Sequence, residues 1–300
     1  MYPSTVRPIS RRDRQAMTVC IAALCEHEDE PAIVLCSDWQ GTYADFVKSD
    51  SEFKIRPAGN ATILIAGLSH DAEELVAHVR PILKAYDDVK KNEEDFDLRI
   101  TKLLHDLRKS VRDRRNEIVT HHLFLNYNVD FEQFIRDGAK AFSPDYYARI
   151  VSEIRNIRLG CGLIIGCVED TEPFLIEIND EGKVMWQGDY VCIGTGGLLA
   201  WAMMSHTSPS RFTPLIDCMA NVLFAKRVAE KDPYVGEATT MMIDIRGKRK
   251  TFISDAGQKY LDKHVKGIGR LPELQFDNSY LDQVEDEDEK KEPKDKDAKN

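Results

Sequence analysis

The chain has 300 residues, 42% of them hydrophobic, which suits one large domain or two small ones around a sizeable core. A net charge of −10, from 51 acids against 41 bases, argues against nonspecific nucleic-acid binding as its main work. There is no apolar run of about 18 residues, so no membrane-spanning helix is expected.

Residues 1–17 read as an N-terminal extension or propeptide. They carry Arg7, Arg11, Arg12 and Arg14 but no apolar block, which argues against a secretory signal. The seven cysteines are odd in number and sit in apolar stretches such as Val19-Cys20-Ile21. Buried free thiols in a reducing cytoplasm fit that usage better than a disulfide framework.

The body opens at Thr18. Thr18–Leu24 and Ala32–Cys36 are rich in Val, Ile and Ala, with a polar loop at Cys25–Pro31 between them, the pattern of a β-hairpin. Phe46–Ile55 and Ala61–Ala66 form a second pair around Pro57-Ala58-Gly59-Asn60. After Gly67 the period changes. Leu75, Val79, Ile82, Leu83 and Tyr86 write one helix, with Pro81 inside it, and Phe96, Ile100, Leu103, Leu104, Leu107 and Val111 write another. A less regular stretch is expected at about 119–144, then a helix around Tyr146–Ile154.

Strand patterns return at 160–168, 173–179, 183–187 and 190–193. The loop Gly194-Thr195-Gly196-Gly197 leads to helices at about 197–207 and 214–231. A hairpin at 240–254 and a short helix near Tyr260 follow. Residues 278–300 read as a charged, disordered tail, with eight acids and five lysines from Glu285 onward. The blocks of strands and helices favour an α+β fold: two antiparallel sheets between helix pairs, a four-layer α-β-β-α sandwich.

Taken singly, the chemical features are plain. Thr18 suits a strand start, Asp38 a turn, and Lys54 an edge position from which it snorkels to water. Gly194–Gly197 lacks the spacing and parallel βαβ context of a phosphate loop. The cysteines and the His121-His122 pair lack metal-ligand spacing, and no Gly-x-Ser-x-Gly occurs.

Taken together, Thr18-Val-Cys-Ile-Ala-Ala, Ile33-Val-Leu-Cys-Ser-Asp38, Phe53-Lys54-Ile55 and Ile63-Leu-Ile-Ala-Gly67 resemble the opening of proteasome β-subunits. They are also similar to the peptidase subunit of the bacterial two-component ATP-dependent protease. Ala72–Val76, Gly194–Gly197, Asp232 with Val235-Gly236, and Met242–Ile245 continue the likeness, which covers about 18–85 and 160–255. The resemblance is to N-terminal nucleophile hydrolases, with an α-β-β-α sandwich over residues 18–277; beside the family's usual helix pair the stretch at about 88–158 is long and implies a helical insertion.

It implies a threonine-type endopeptidase. Thr18, freed at its amino end, would attack a peptide carbonyl, with its own α-amine as base through a water; an α-amine titrates near ~7.7–8.0, so part of it is neutral at pH 7. Lys54 would stabilise the alkoxide and lower the amine's pKa, and Asp38 would hold Lys54. Gly67 N–H would serve the oxyanion, and Thr195 and Asp232 would orient the amine and its water.

No metal or organic cofactor is implied. The implied partners are like subunits in a ring, unfolded polypeptide as substrate and an ATP-driven unfoldase by analogy, in the cytoplasm, with neither nucleic acid nor membrane. The sequence departs from the family at Met17, where self-cleaving members carry Gly. It departs again at Thr195 for Ser, at Val235 for a network Ser and at Glu237 for Gly. Two other readings stay open: a catalytically silent ring scaffold on this fold, and an amidase of the same superfamily acting on small amides. Cleavage preference is expected to depend on Gln40, Gly41, Ser49 and Glu52.

Overall fold

The computed structural model describes residues 18–39, 41–43, 47–49, 53–90, 95–169, 172–265 and 281–283. The expected extension at 1–17 lies outside them, as do Gln40 and Glu52. Of the expected tail, only Leu281–Gln283 is described.

The apolar runs form strands because both of their faces are covered. β1 (Cys20–His27) and β2 (Glu30–Asp38) pair antiparallel through eight residues each way, from Cys20 opposite Ser37 to His27 opposite Glu30. The polar loop expected over 25–31 is therefore a two-residue turn. Glu28 and Asp29 take it with φ of 52° and 67°, the two positive values that a tight turn of matching twist demands. Glu26, His27, Glu30 and Pro31 stay in the ladder and are partly exposed, which is why the stretch reads as a loop.

The second expected pair is also redrawn. Gly41–Tyr43 (β3) and Val47–Ser49 (β4) form a separate hairpin, and β5 (Ile55–Ala58) pairs with β6 (Ala61–Gly67). The remaining strands are β7 (Cys161–Cys167), β8 (Phe174–Ile178), β9 (Val184–Gln187), β10 (Tyr190–Ile193), β11 (Thr239–Ile245), β12 (Thr251–Ile253) and β13 (Leu281–Gln283). One sheet has the order β10-β1-β2-β11-β12-β13 and the other β5-β6-β7-β8-β9, with every pair antiparallel.

Side-chain parity then makes three apolar layers. Cys20, Ala22, Leu24, Ile33 and Leu35 face the other sheet and meet Ile55, Leu64, Ile164 and Leu175. Val19, Ile21, Ala23 and Val34 face outward onto α5 (Gly197–Thr207), α6 (Leu215–Ala229) and α7 (Asp255–Val265), through Ala200, Met219, Leu223 and Leu261. On the far side, Ile63, Ile65, Leu163 and Ile176 pack on α1 (Ser69–Lys90) and α2 (Phe96–Tyr127). The order is helix, sheet, sheet, helix, as expected.

The stretch expected to be irregular at 119–144 is helical instead. α2 runs to Tyr127, and α3 (Phe131–Ala141) and α4 (Pro144–Arg155) follow. Ile100, Leu103, Leu107 and Val111 belong to the sandwich core, whereas Val119 and Leu123 belong to a satellite core with Phe134, Ile150 and Ile157. The first half of the expected 88–158 insertion is thus the sandwich's own outer layer. The added piece is the second half of α2 with α3 and α4.

Phe134, 2% exposed, stacks on Tyr147 with ring centroids 5.2 Å apart and anchors that added piece. Phe134→Ala should cost about 3–5 kcal/mol. Hydrogen exchange should show the loss confined to α3, α4 and the end of α2, with β1, β2 and β6 unchanged.

Candidate active site

Strand register brings the site together at one end of the sandwich. Cys20 lies opposite both Ser37 and Ile193, so Thr18 meets the residues just beyond the ends of β2 and β10. Thr239 lies opposite Asp38, which brings the turn before β11 to the same place. Lys54, just ahead of β5, comes from the other sheet; its carbonyl accepts from Ile65 N–H at 3.0 Å.

Thr18, Asp38 and Lys54 form one buried cluster, at 1%, 0% and 6% exposure. The Thr18 hydroxyl donates to Asp38 Oδ1 and accepts from the Lys54 ammonium. Lys54 Nζ lies 2.7 Å from the same Asp38 oxygen. Val19 N–H donates to Asp38 Oδ1 at 3.2 Å, and Gly236 N–H donates to Asp38 Oδ2 at 3.0 Å. The carboxylate thus accepts on both oxygens, and the snorkelling reading of Lys54 does not hold. Each ion alone would lose several kcal/mol of hydration on burial; paired and hydrogen-bonded, they are tolerated.

Thr195 stands on the other side of Thr18. Thr18 N–H donates to Thr195 Oγ1 at 3.1 Å, and that hydroxyl lies 3.2 Å from the Thr18 carbonyl, to which it donates. Gly196 N–H donates to the same carbonyl at 3.1 Å. The glycine-rich loop is therefore spent on Thr18 itself rather than on a phosphate. At Gly194, with φ of +93°, a Cβ would lie 2.4 Å from the Thr18 carbonyl oxygen, so only glycine allows this approach.

Gly67 closes β6 with φ of +130°, and a Cβ there would sit 2.3 Å from the Cys161 Cα. It lines a cavity of about 660 Å³ that Gly194, Thr195 and Leu198 also line. Ile118 and Asn156, from α2 and the segment after α4, complete one wall.

Asp232 takes a different place from the one expected. Its Oδ1 accepts from Tyr234 N–H at 2.9 Å and its carbonyl from Val235 N–H at 3.0 Å, which shapes the turn that presents Gly236. Among the described residues, it bonds to that turn and to the Ala229 carbonyl and not to Thr18. Val235 is 5% exposed and packs beside Gly196. The backbone donors Val19 and Gly236 are the part that residue types do not signal, since any amino acid carries an N–H.

Cys20 lies nearest the cluster among the thiols. Its Sγ donates to the Ile65 carbonyl at 3.2 Å, and burial pushes the thiol up. Among the described residues, no group of three or more His, Cys, Asp or Glu is placed to hold a metal, and no helix is long and apolar enough to cross a membrane.

No protein-family model and no curated protein sequence matches the chain. Among solved structures it is similar to the crystal structure of eukaryotic HslV from Trypanosoma brucei, at 17% identity over 75% of this chain and 98% of that one, with a TM-score of 0.47. A likeness of that size carries nothing about function.

All seven cysteines are free, and six are buried. Burial pushes Cys36 and Cys192 up to about 12. At pH 8 a thiol of that kind is thiolate in only about one molecule in 10⁴. Iodoacetamide should therefore label the native protein slowly and all seven cysteines in denaturant. Fast labelling of Cys20 in the native protein would contradict the burial described above.

Proposed function

We propose that the chain is a threonine-type amide hydrolase, acting on peptide bonds once residues 1–17 are removed. One observation carries the reading: the Thr18 hydroxyl lies between a buried ammonium and a buried carboxylate, at the first residue of the body. A hydroxyl in an ordinary core has no use for two desolvated charges.

With Met17 attached, the Thr18 nitrogen is an amide and has no basicity. Loss of residues 1–17 turns it into an α-amine, the one basic nitrogen near the hydroxyl that titrates near neutrality (~7.7–8.0). The amine takes the hydroxyl proton through a water. The oxygen then bonds to the substrate carbonyl carbon, with Lys54 beside the developing charge and Gly67 N–H as oxyanion donor. As the C–N bond breaks, the ammonium returns its proton to the leaving amine. A water, deprotonated by the same amine, releases the acyl group and restores Thr18. Thr195 orients the amine, and Asp232 acts on the site through the turn it shapes.

The larger setting belongs to the same proposal. Like subunits would form a ring that hides the nucleophiles, substrate would arrive unfolded, and an ATP-driven unfoldase would feed it. The cytoplasm fits seven free thiols. One observation favours a rival: Met17 precedes Thr18 in the sequence, and while it stays attached the blocked amine on this fold would make a silent scaffold.

Intact mass and turnover decide together. The active form should begin at Thr18 and hydrolyse fluorogenic peptides faster than small amides. Thr18→Ala should be inactive, and Thr18→Ser should keep part of the activity because it keeps both hydroxyl and amine. A purified protein that retains residues 1–17 and still cleaves peptides would overturn the mechanism, and equal turnover by Thr18→Ala would exclude the nucleophile.

Lys54→Ala should abolish turnover and, by leaving Asp38 without its cation, cost about 3–5 kcal/mol of stability. Turnover within threefold of wild type would contradict the role given to Lys54.

A further inference from the structure

A second buried ammonium stands behind the cluster. Lys226, in the last turn of α6, has no exposed side-chain surface. Its Nζ donates to the Gly236 carbonyl at 2.7 Å, to the Glu237 carbonyl at 2.8 Å and to the Glu230 carboxylate. A lysine has three donors, and here all three are in use.

The two carbonyls it grips belong to the turn that serves Asp38. Gly236 accepts from Lys226 through its carbonyl and donates through its N–H to Asp38 Oδ2 at 3.0 Å. One residue thus links the ammonium behind the site to the carboxylate within it. The charge is costly to bury, since desolvation pushes Lys226 down from its ordinary value, and its contacts to the two carbonyls and to Glu230 are what offset that cost.

We propose that Lys226 is a positioning residue, which fixes the 236–237 peptide so that Gly236 N–H stays on the outer oxygen of Asp38. The structural half of this statement stands by itself; its effect on rate rests on the reading of Thr18, Asp38 and Lys54 as the reacting cluster. Without Lys226 the Gly236 carbonyl loses its charged donor and the turn can swing away from Asp38. The carboxylate would then hold Lys54 and the Thr18 hydroxyl through fewer fixed contacts.

Lys226→Met tests this with the rest of the network in place. Glu230 keeps Arg227 at 2.6 Å, the Glu237 carbonyl keeps Arg227 at 3.2 Å, and Arg227 stays on Asp262 at 2.7 Å. Two readouts are taken on the processed full chain: amide exchange at Gly236 against that of β1 and β2, and kcat apart from KM on a fluorogenic peptide. Gly236 exchange should rise at least about tenfold with β1 and β2 unchanged. kcat should fall by up to about 10²-fold with KM held, the cost of a small misplacement at a reacting centre.

Unchanged Gly236 exchange would overturn the proposal, as would faster exchange with wild-type kcat. If Lys226→Met does not fold, Lys226→Gln replaces it, being neutral and able to donate to the carbonyls. It should give intermediate values on both readouts, and wild-type values on both would again overturn the proposal. Should the processed wild type turn over no peptide while Gly236 exchange still responds, the peptidase reading fails and the link from Lys226 to Asp38 stands.

Discussion

The site depends on one contact: a lysine ammonium from one sheet, beneath a threonine hydroxyl and against an aspartate carboxylate from the other. Asp38 closes β2 and Thr18 stands just ahead of β1, while Lys54 enters from the residue just ahead of β5 in the other sheet. Strand register places them. A slip of one residue would turn every side chain on a strand to the opposite face and separate the three. The apolar layers that fix the register are therefore also what holds the site.

The same logic explains where the surrounding donors come from. Loops that follow β10 and precede β11 lie opposite the ends of β1 and β2, so their backbone N–H groups face Thr18 and Asp38. Gly196 serves the Thr18 carbonyl, and Gly236 serves Asp38. Much of the site is backbone, which costs no side-chain entropy to order and holds its direction as rigidly as the strands do. The helical piece built from the end of α2, α3 and α4 stands apart, with its own small core, and reaches the site region through Ile118 and Asn156 in the cavity wall.

β1, β2, β6, β7 and β8 were legible because each is an apolar run covered on both faces along most of its length, and the helices of the sandwich because Leu75, Val79 and Leu83, or Ile100, Leu103 and Leu107, recur at helical spacing. Thr18, Asp38 and Lys54 were legible only as an ordered set of motifs; singly, each had an ordinary explanation, and for Lys54 the ordinary one was wrong. Four features were hidden for physical reasons. The 28–29 turn lies in a polar stretch whose flanking residues pair while staying partly exposed. The end of α2 has a thin apolar stripe, Val119 and Leu123, because it packs on a small satellite core and not on a sheet. Lys226 near the end of a helix looks like any solvent-facing lysine, and a backbone donor such as Gly236 N–H leaves no mark on residue type.

The central claim is that the Thr18 oxygen forms the covalent bond to substrate. Acid quenching of the processed protein during turnover of a peptide ester, followed by peptide mapping in a mass spectrometer, tests it most directly. An acyl group on Thr18 is the result predicted here. An acyl group on a cysteine, or continuing turnover with no acyl group on Thr18, would contradict the account.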